Sequence, residues 1–427
     1  MISANGVEDV EQYRPGGFHP ISIGNTFCGR RYKVVHKLGF GGSSTVWLAR
    51  DQHSSPGVLV ALKAMHASTS TTDPSEIPEI VVPETLQAAH SASGSFQAVT
   101  DHFVVDGPNG THHFLVSPFA GPSVLAMSDS PGRVAGSRRL RGDLARSVAR
   151  QTAATLHYMH SAGFVHGDLT TSNILFRVAE HVLHWSDSQV YAHFGVPETE
   201  EVRTRGGEPC SPYAPPELVA PIDNATITDA SLLHDSVVLI DFGQSYAVAS
   251  PPKGHQPGTA MHYLPPETRF EGRAGLEADV WNLGCAIFEI RAGAPLFEPF
   301  FGSDADILRQ TVEVLGRLPD PWWRSFRERA LWFEENGQPR SAEAQQLSGA
   351  LVPSTKSSIQ TKLRSIGMLD DPPSVDEGPM IEKPGVTLDE EEVGLLGDLL
   401  AKMLRYRPEE RLSMREVIYH PWFTLEV

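Results

Sequence analysis

Basic residues are scarce: 35 Lys and Arg stand against 52 Asp and Glu, a net charge of −17 over 427 residues. So acidic a surface argues against binding nucleic acid through its phosphates, which takes clustered Lys and Arg. It suits a basic protein or peptide partner, although acidity also serves solubility alone. Cysteine is scarcer still. Cys28, Cys210 and Cys285 cannot build a disulfide framework and their spacing fits no metal site, so a reducing compartment, cytosolic or nuclear, is expected. Long apolar runs are missing. The opening MISANGVEDVEQYRPGG carries acids, Pro and Gly where a secretory signal needs an apolar core. VWNLGCAIFEI, residues 280–290, has the length of a buried helix rather than a membrane span. No internal repeat is present. The expectation is a monomer with no membrane partner and no direct nucleic-acid partner.

What is there is a folded chain: 40% hydrophobic and 20% charged residues, long enough for two lobes. An acidic lead-in fills residues 1–30. From Tyr32, β-like runs follow one another: RYKVVHKLGFGGSSTVWLARD, VLVALKAM (58–65) and HHFLVSPF (112–119). Between them SEIPEIVVPETLQAA is limited by Pro78 and Pro83 to a short or kinked helix. Past Gly121 the pattern is helical. DLARSVARQTAATLHYMHSAG places Leu144, Val148, Thr152, Leu156 and Met159 on one face. The expected fold class is α+β, with a small β-rich lobe over 31–120 and a larger helical lobe over 121–423. Segments of about 178–235 and 335–385, weakly periodic and rich in Pro, Gly and Ser, are inserts or mobile stretches.

Chemistry-bearing residues appear in a fixed order. GFGGSSTV (39–46) is a glycine-rich hairpin turn. Bare backbone at Gly39, Gly41 and Gly42 can approach phosphates and offer N–H groups, with Ser44 where a third glycine would stand. Such turns are common and decide little alone. Lys63 lies in the third β-run, where an inward ammonium holds phosphate charge if a carboxylate fixes it; a lone strand Lys is more often solvated. Glu76, Glu79 and Glu84 are the candidates for that carboxylate. Glu79 is favoured because Val82 and Leu86 follow at +3 and +7. HGDLTTSN sets Asp168 and Asn173 five apart, a proton acceptor and an oxygen ligand, or else the caps of a turn. VVLIDFG (237–243) delivers Asp241 at the end of an apolar strand, a carboxylate suited to Mg²⁺ shared with phosphate oxygens.

In this order the segments resemble the protein kinases: the Gly-rich loop, the Lys of VALK, H-R-D-L-x-x-x-N, DFG and A-P-E. The resemblance covers residues 39–411 and implies a bilobal kinase fold with ATP and Mg²⁺. It assigns catalysis to Asp168, Lys63, Asn173 and Asp241, converging on one nucleotide, with Asn173 and Asp241 on the metal. Leu38, Val46, Ala61, Pro118 and Ala120 would line the adenine site beside the glycine loop, Lys63 and Glu79, with Ser117 as gatekeeper. Within GTAMHYLPPE, Thr259 would face the substrate and Glu267 would pair with a buried Arg411. Asp279 of DVWNLG would tie down the catalytic-loop backbone. A second PPE, in SPYAPPEL (211–218), precedes DFG and is read as insert.

The lead-in, the 67 residues between Asn173 and Asp241, and LFEPFFGSDADILRQTVEVLG (296–316) narrow the resemblance. They are similar to the serine/arginine-rich protein kinases (the SRPK family), which implies phosphorylation of Ser in Arg/Ser-rich proteins and a role in mRNA splicing regulation. Asp306 and Glu313, seven apart on a predicted helix, would help dock Arg-rich peptide; a solvated helix face is the alternative. Two positions depart from the kinase pattern. Gly167 replaces the Arg that pairs with an activation-loop phosphate, so no phosphate switch is expected. Thr170 replaces the Lys that neutralises the transferring phosphoryl group. Two other readings therefore stay open: an inactive scaffold binding basic partners, and an active Ser/Thr kinase with non-Arg/Ser substrates.

Overall fold

Between Thr26 and Pro118 the chain pleats into six antiparallel strands: β1 (Thr26–Phe27), β2 (Tyr32–Gly41), β3 (Ser44–Asp51), β4 (Val58–Met65), β5 (Asp101–Gly107) and β6 (Gly110–Pro118). Their order in the sheet is β1-β2-β3-β4-β6-β5. The computed structural model describes residues 6–425 other than 54, 56, 71–72, 90–94, 130–135, 205, 208–209, 211, 253–257, 300–301 and 373–377. The first five residues of the lead-in and 373–377 of the second insert thus lie outside the described residues. Contacts divide the chain into two units, Met1–Pro122 with Leu175–His234, and Ser123–Ile174 with Asp235–Val427.

In the first unit the period-two rule of strands sorts β4 onto two faces. Val60, Leu62 and Ala64 pack with Val34, Trp47, Phe114, Val116 and Ile21 of the lead-in. The odd positions, Leu59, Ala61 and Lys63, therefore point the other way. There Leu59, Leu48 and Val35 join a second core with Phe119 and the first insert. The described residues of the insert are folded. Short helices Glu180–Leu183, Asp187–Phe194 and Asn224–Ile227 and a two-stranded ribbon, Thr199–Glu201 with Glu217–Val219, bring Val182, Trp185, Val190, Phe194 and Ile222 onto the sheet. Asp187 adds ion pairs to Lys33 (2.9 Å) and Arg50 (2.7 Å).

The lead-in is held as firmly. Glu8 forms a buried ion pair with Lys37 of β2 and accepts from the Tyr13 hydroxyl at 2.5 Å. The Lys37 ammonium lies 5.3 Å from the Trp47 ring centre and 5.7 Å from that of Phe40. Burial pushes its pKa down, against the pull of Glu8. Five histidines of this unit are buried, among them His19, His66 and His112. The His19 and His112 rings meet edge-on at 4.8 Å. Burial, with His112 adding to it, pushes His19 down to about 4.

The helix α1 (Pro78–Ala89) runs twelve residues through Pro83. It is longer than its two prolines suggest. Pro83 withholds only the N–H that the Glu79 carbonyl would accept, while Ile80 packs, with Ile77 just before the helix, under Met65 and Leu115. Tertiary packing outweighs one lost hydrogen bond.

The second unit is helical. In Gly142–Ser161, Leu144, Val148, Thr152, Leu156 and Met159 are all buried, as the 3.6-residue period requires. The helix Leu276–Ala292 is buried on nearly every side. An aromatic core of Trp322, Trp323, Phe326, Trp332 and Phe333 packs against Leu308 and Val312 of the helix Asp304–Leu315. The second insert contributes helices Ala342–Leu347 and Ile359–Ser365. No helix among the described residues is long and apolar enough to cross a membrane.

Candidate active site

The candidate residues fall in both units. In the first, β2 and β3 pair from Tyr32–Asp51 to Gly41–Ser44 and close the glycine turn. Gly39, Gly41 and Gly42 have no positive φ, and a Cβ on any of them would meet no heavy atom within 4 Å. Neither backbone strain nor protein packing calls for glycine here. The bare backbone there leaves room for a ligand to approach. Ser44 is buried and pairs with Met65 at the start of β3.

Val46 pairs directly with Lys63, and Ala61, two residues earlier, shares the Lys63 face. The Lys63 Nζ lies 3.2 Å from Glu79 Oε1. The first turn of α1 thus supplies the carboxylate, and Val82 and Leu86 are buried on the same helix. Leu38 packs against the insert core. At the end of β6, Ser117 pairs with Ala61 and is half-buried, as is Ala120. The Pro118 carbonyl accepts from Gln97 Nε2 at 2.8 Å.

In the second unit Asp168 and Asn173 are locked together. Asn173 Nδ2 donates to the Asp168 carbonyl at 2.8 Å and to its Oδ2 at 3.3 Å. Burial, then the charge of Asp241, pushes the Asp168 carboxyl up to about 6, against hydrogen bonds from Thr259 and Asn173. Thr259 also donates to the Gly167 carbonyl at 2.9 Å. Asp241 sits at φ 64°, ψ 72°, a left-handed conformation that costs a non-glycine residue energy and marks functional turns. Asp279, fully buried, accepts from the backbone N–H of His166 (2.7 Å) and Gly167 (2.9 Å) and lies 2.9 Å from His160 Nε2. Arg411 clamps Glu267 with two bonds of 2.6 Å and stacks 5.0 Å over Trp281.

The two departures have geometric accounts. Gly167 has φ 82°, and a Cβ there would lie 2.6 Å from the Gln244 carbonyl oxygen, so an arginine does not fit this loop. Ser245, near the DFG turn, is buried and donates to the His166 carbonyl at 2.8 Å. Thr170 is buried and shares a hydrogen bond of 2.6 Å with Ser172. It lines a cavity of about 480 Å³ with Asp168, Arg138, His262, Tyr263 and Glu289. Tyr263 donates to Glu289 and accepts from the Thr171 backbone N–H at 3.2 Å. Burial pushes the Glu289 carboxyl up and that of the His262 imidazolium down.

Sequence reasoning missed Arg138, Tyr263 and Glu289. Arg138 lines the same cavity as Thr170, ion-paired to Asp129 and donating from Nε to the Ser128 carbonyl at 3.0 Å; its only signal in the sequence was a basic pair, Arg138-Arg139, ahead of the helix. Asp306 and Glu313 share one helix face, as their spacing requires, but both are bonded to Arg309.

Residues 32–423 match the protein kinase domain family, and the chain belongs to it. That membership brings ATP as substrate and Mg²⁺ as the usual cofactor. The residues fit the ion: Asn173 and Asp241 offer the hard oxygen donors Mg²⁺ prefers. Among curated relatives, Serine/threonine-protein kinase SRPK of Physarum polycephalum is 26% identical over 97% of this chain and 91% of its own length. Protein kinase dsk1 of Schizosaccharomyces pombe is 25% identical over 78% and 75%. SRSF protein kinase 3 of Homo sapiens is 30% identical, over 40% of this chain and 30% of its own. The chain is a protein serine/threonine kinase similar to the SRPK type.

Proposed function

We propose that the chain transfers the γ-phosphate of ATP to Ser in Arg/Ser-rich proteins, and so acts on factors of mRNA splicing from the cytoplasm or nucleus. The observation that carries catalysis is the Asp168–Asn173 pair, beside an Asp241 held in a strained turn. Asp168 accepts the hydroxyl hydrogen of the substrate Ser and aims its oxygen; Lys63, fixed by Glu79, holds nucleotide phosphates; Asn173 and Asp241 hold the metal. Leu38, Gly39, Gly41, Gly42, Ser44, Val46, Ala61, Pro118 and Ala120 receive the nucleotide. Mg²⁺, when bound, neutralises charge on the phosphates. The serine oxygen forms a bond to the γ-phosphorus as the bond to the ADP oxygen breaks. The acid-bearing helix Asp304–Leu315 is the proposed dock for the basic substrate.

Thr170 favours a second reading, an inactive scaffold. A peptide array with ATP and Mg²⁺, run with the unmodified chain and Asp168→Asn, decides. Arg/Ser peptides should be labelled by the unmodified chain, and Asp168→Asn should lower the rate by about 10²–10⁴. Labelling of other sequences alone would leave a kinase with different substrates. No labelling, with nucleotide still bound, would select the scaffold.

A further inference from the structure

The helix Asp304–Leu315 carries its own arginine on the acidic face. Resting on the Arg/Ser reading above, we propose that Arg309 occupies the substrate-arginine dock in cis and sets how tightly a basic segment is captured. Asp306 and Glu313 are two turns apart, and Arg309 stands between them at +3 and −4, within reach of both. Its Nε and Nη2 donate to Asp306 Oδ1 at 3.0 and 2.8 Å, and Nη1 donates to Glu313 Oε1 at 2.5 Å. The remaining oxygen of Asp306 accepts from Gln310 Nε2 at 2.9 Å, and Glu313 Oε1 also accepts from the Thr355 N–H at 3.2 Å.

All three charged side chains are nearly out of solvent, with 8%, 8% and 11% exposure for Arg309, Asp306 and Glu313. A buried carboxylate pair must be matched by a cation, and the guanidinium fork is the best match. An incoming substrate arginine offers the same fork and must displace Arg309 to be bound. Arg309 competes at the high effective concentration of a neighbour on the same helix. The helix therefore docks basic segments weakly until Arg309 swings away.

The test is binding, not turnover, so it is independent of catalysis. The probe is a fluorescent Arg/Ala repeat peptide, in which every Ser of an Arg/Ser repeat is replaced, read by anisotropy at low salt without nucleotide. Arg309→Gln should bind it about tenfold more tightly than the unmodified chain. Asp306→Asn with Glu313→Gln should change affinity less than about threefold in the unmodified chain, where Arg309 already fills the dock, and should abolish the gain in the Arg309→Gln background. Arg309→Lys, which keeps the charge but loses the fork, covers the case in which Arg309→Gln fails to fold; it should gain about threefold. Equal affinity of the folded Arg309 variants and the unmodified chain, including no binding by any, overturns the proposal. So does a loss of tenfold or more from the Asp306/Glu313 change in the unmodified chain. Failure here alongside Arg/Ser labelling on the array leaves the substrate reading standing, and the reverse pattern removes catalysis while leaving the dock.

Discussion

Gly167 shows how one residue constrains the catalytic loop. Its φ of 82° and its closeness to the Gln244 carbonyl are both conditions that a side chain violates. Restoring the arginine of the common kinase pattern, Gly167→Arg, is expected to cost about 1–3 kcal/mol in stability and to displace Asp168, the next residue. Thermal melts and phosphorylation rates measure both; an unshifted Tm would refute the strain argument. At this scale the sequence was uneven. Glu79 was legible, because Val82 and Leu86 report the buried face of α1. Asp279 and Glu267 were legible through local motifs. Arg309 was in plain view, but reading acids for their charge alone ignored the cation between them. Arg138 is joined to its cavity by tertiary folding alone, and no periodicity marks it.

Among the elements, the first insert departs furthest from expectation. Its helices are four to eight residues long, too short for a 3.6-residue period to show, so residues 178–235 read as irregular. Yet Trp185 is buried in one core with Val35 and Leu48 of the sheet and Phe119 just after it. Trp185→Ala is expected to cost about 3–5 kcal/mol and to release the insert. Hydrogen exchange would then rise in 180–194 and in β2, while the helix Gly142–Ser161 stays protected. Protection unchanged across the insert would mean that the ion pairs of Asp187 hold it instead. Strands β2, β3, β4 and β6 and the helix Gly142–Ser161 were legible because their patterns extend over eight or more residues; β5, with no run of its own in the reading, and the full length of α1 were not.

Across the whole molecule, the buried histidines set an acid limit. His19 is held at about 4 by burial and by His112; burial lowers His112 and His66 as well, with His112 and then Arg14 adding to the shift of His66. Their folded values lie below the unfolded value of about 6.5. The unfolded chain therefore binds more protons, and stability declines as pH falls from about 6.5 through about 4. For His19 the loss is on the order of 3 kcal/mol once pH is below both values. Melting temperatures between pH 7.5 and 4.5 test this. His19→Phe should flatten the slope, and an unaltered slope would assign acid sensitivity to other groups.

The Glu8–Lys37 pair bears on how the protein is produced. A recombinant version trimmed to the domain match, starting at residue 32, would discard the only anion bonded to that ammonium among the described residues. Lys37 would then have to shed its proton or drag the adjoining hairpin into water. A preparation shortened in this way would be expected to bind nucleotide poorly for a reason unrelated to its active-site residues, and its inactivity would say nothing about the enzyme.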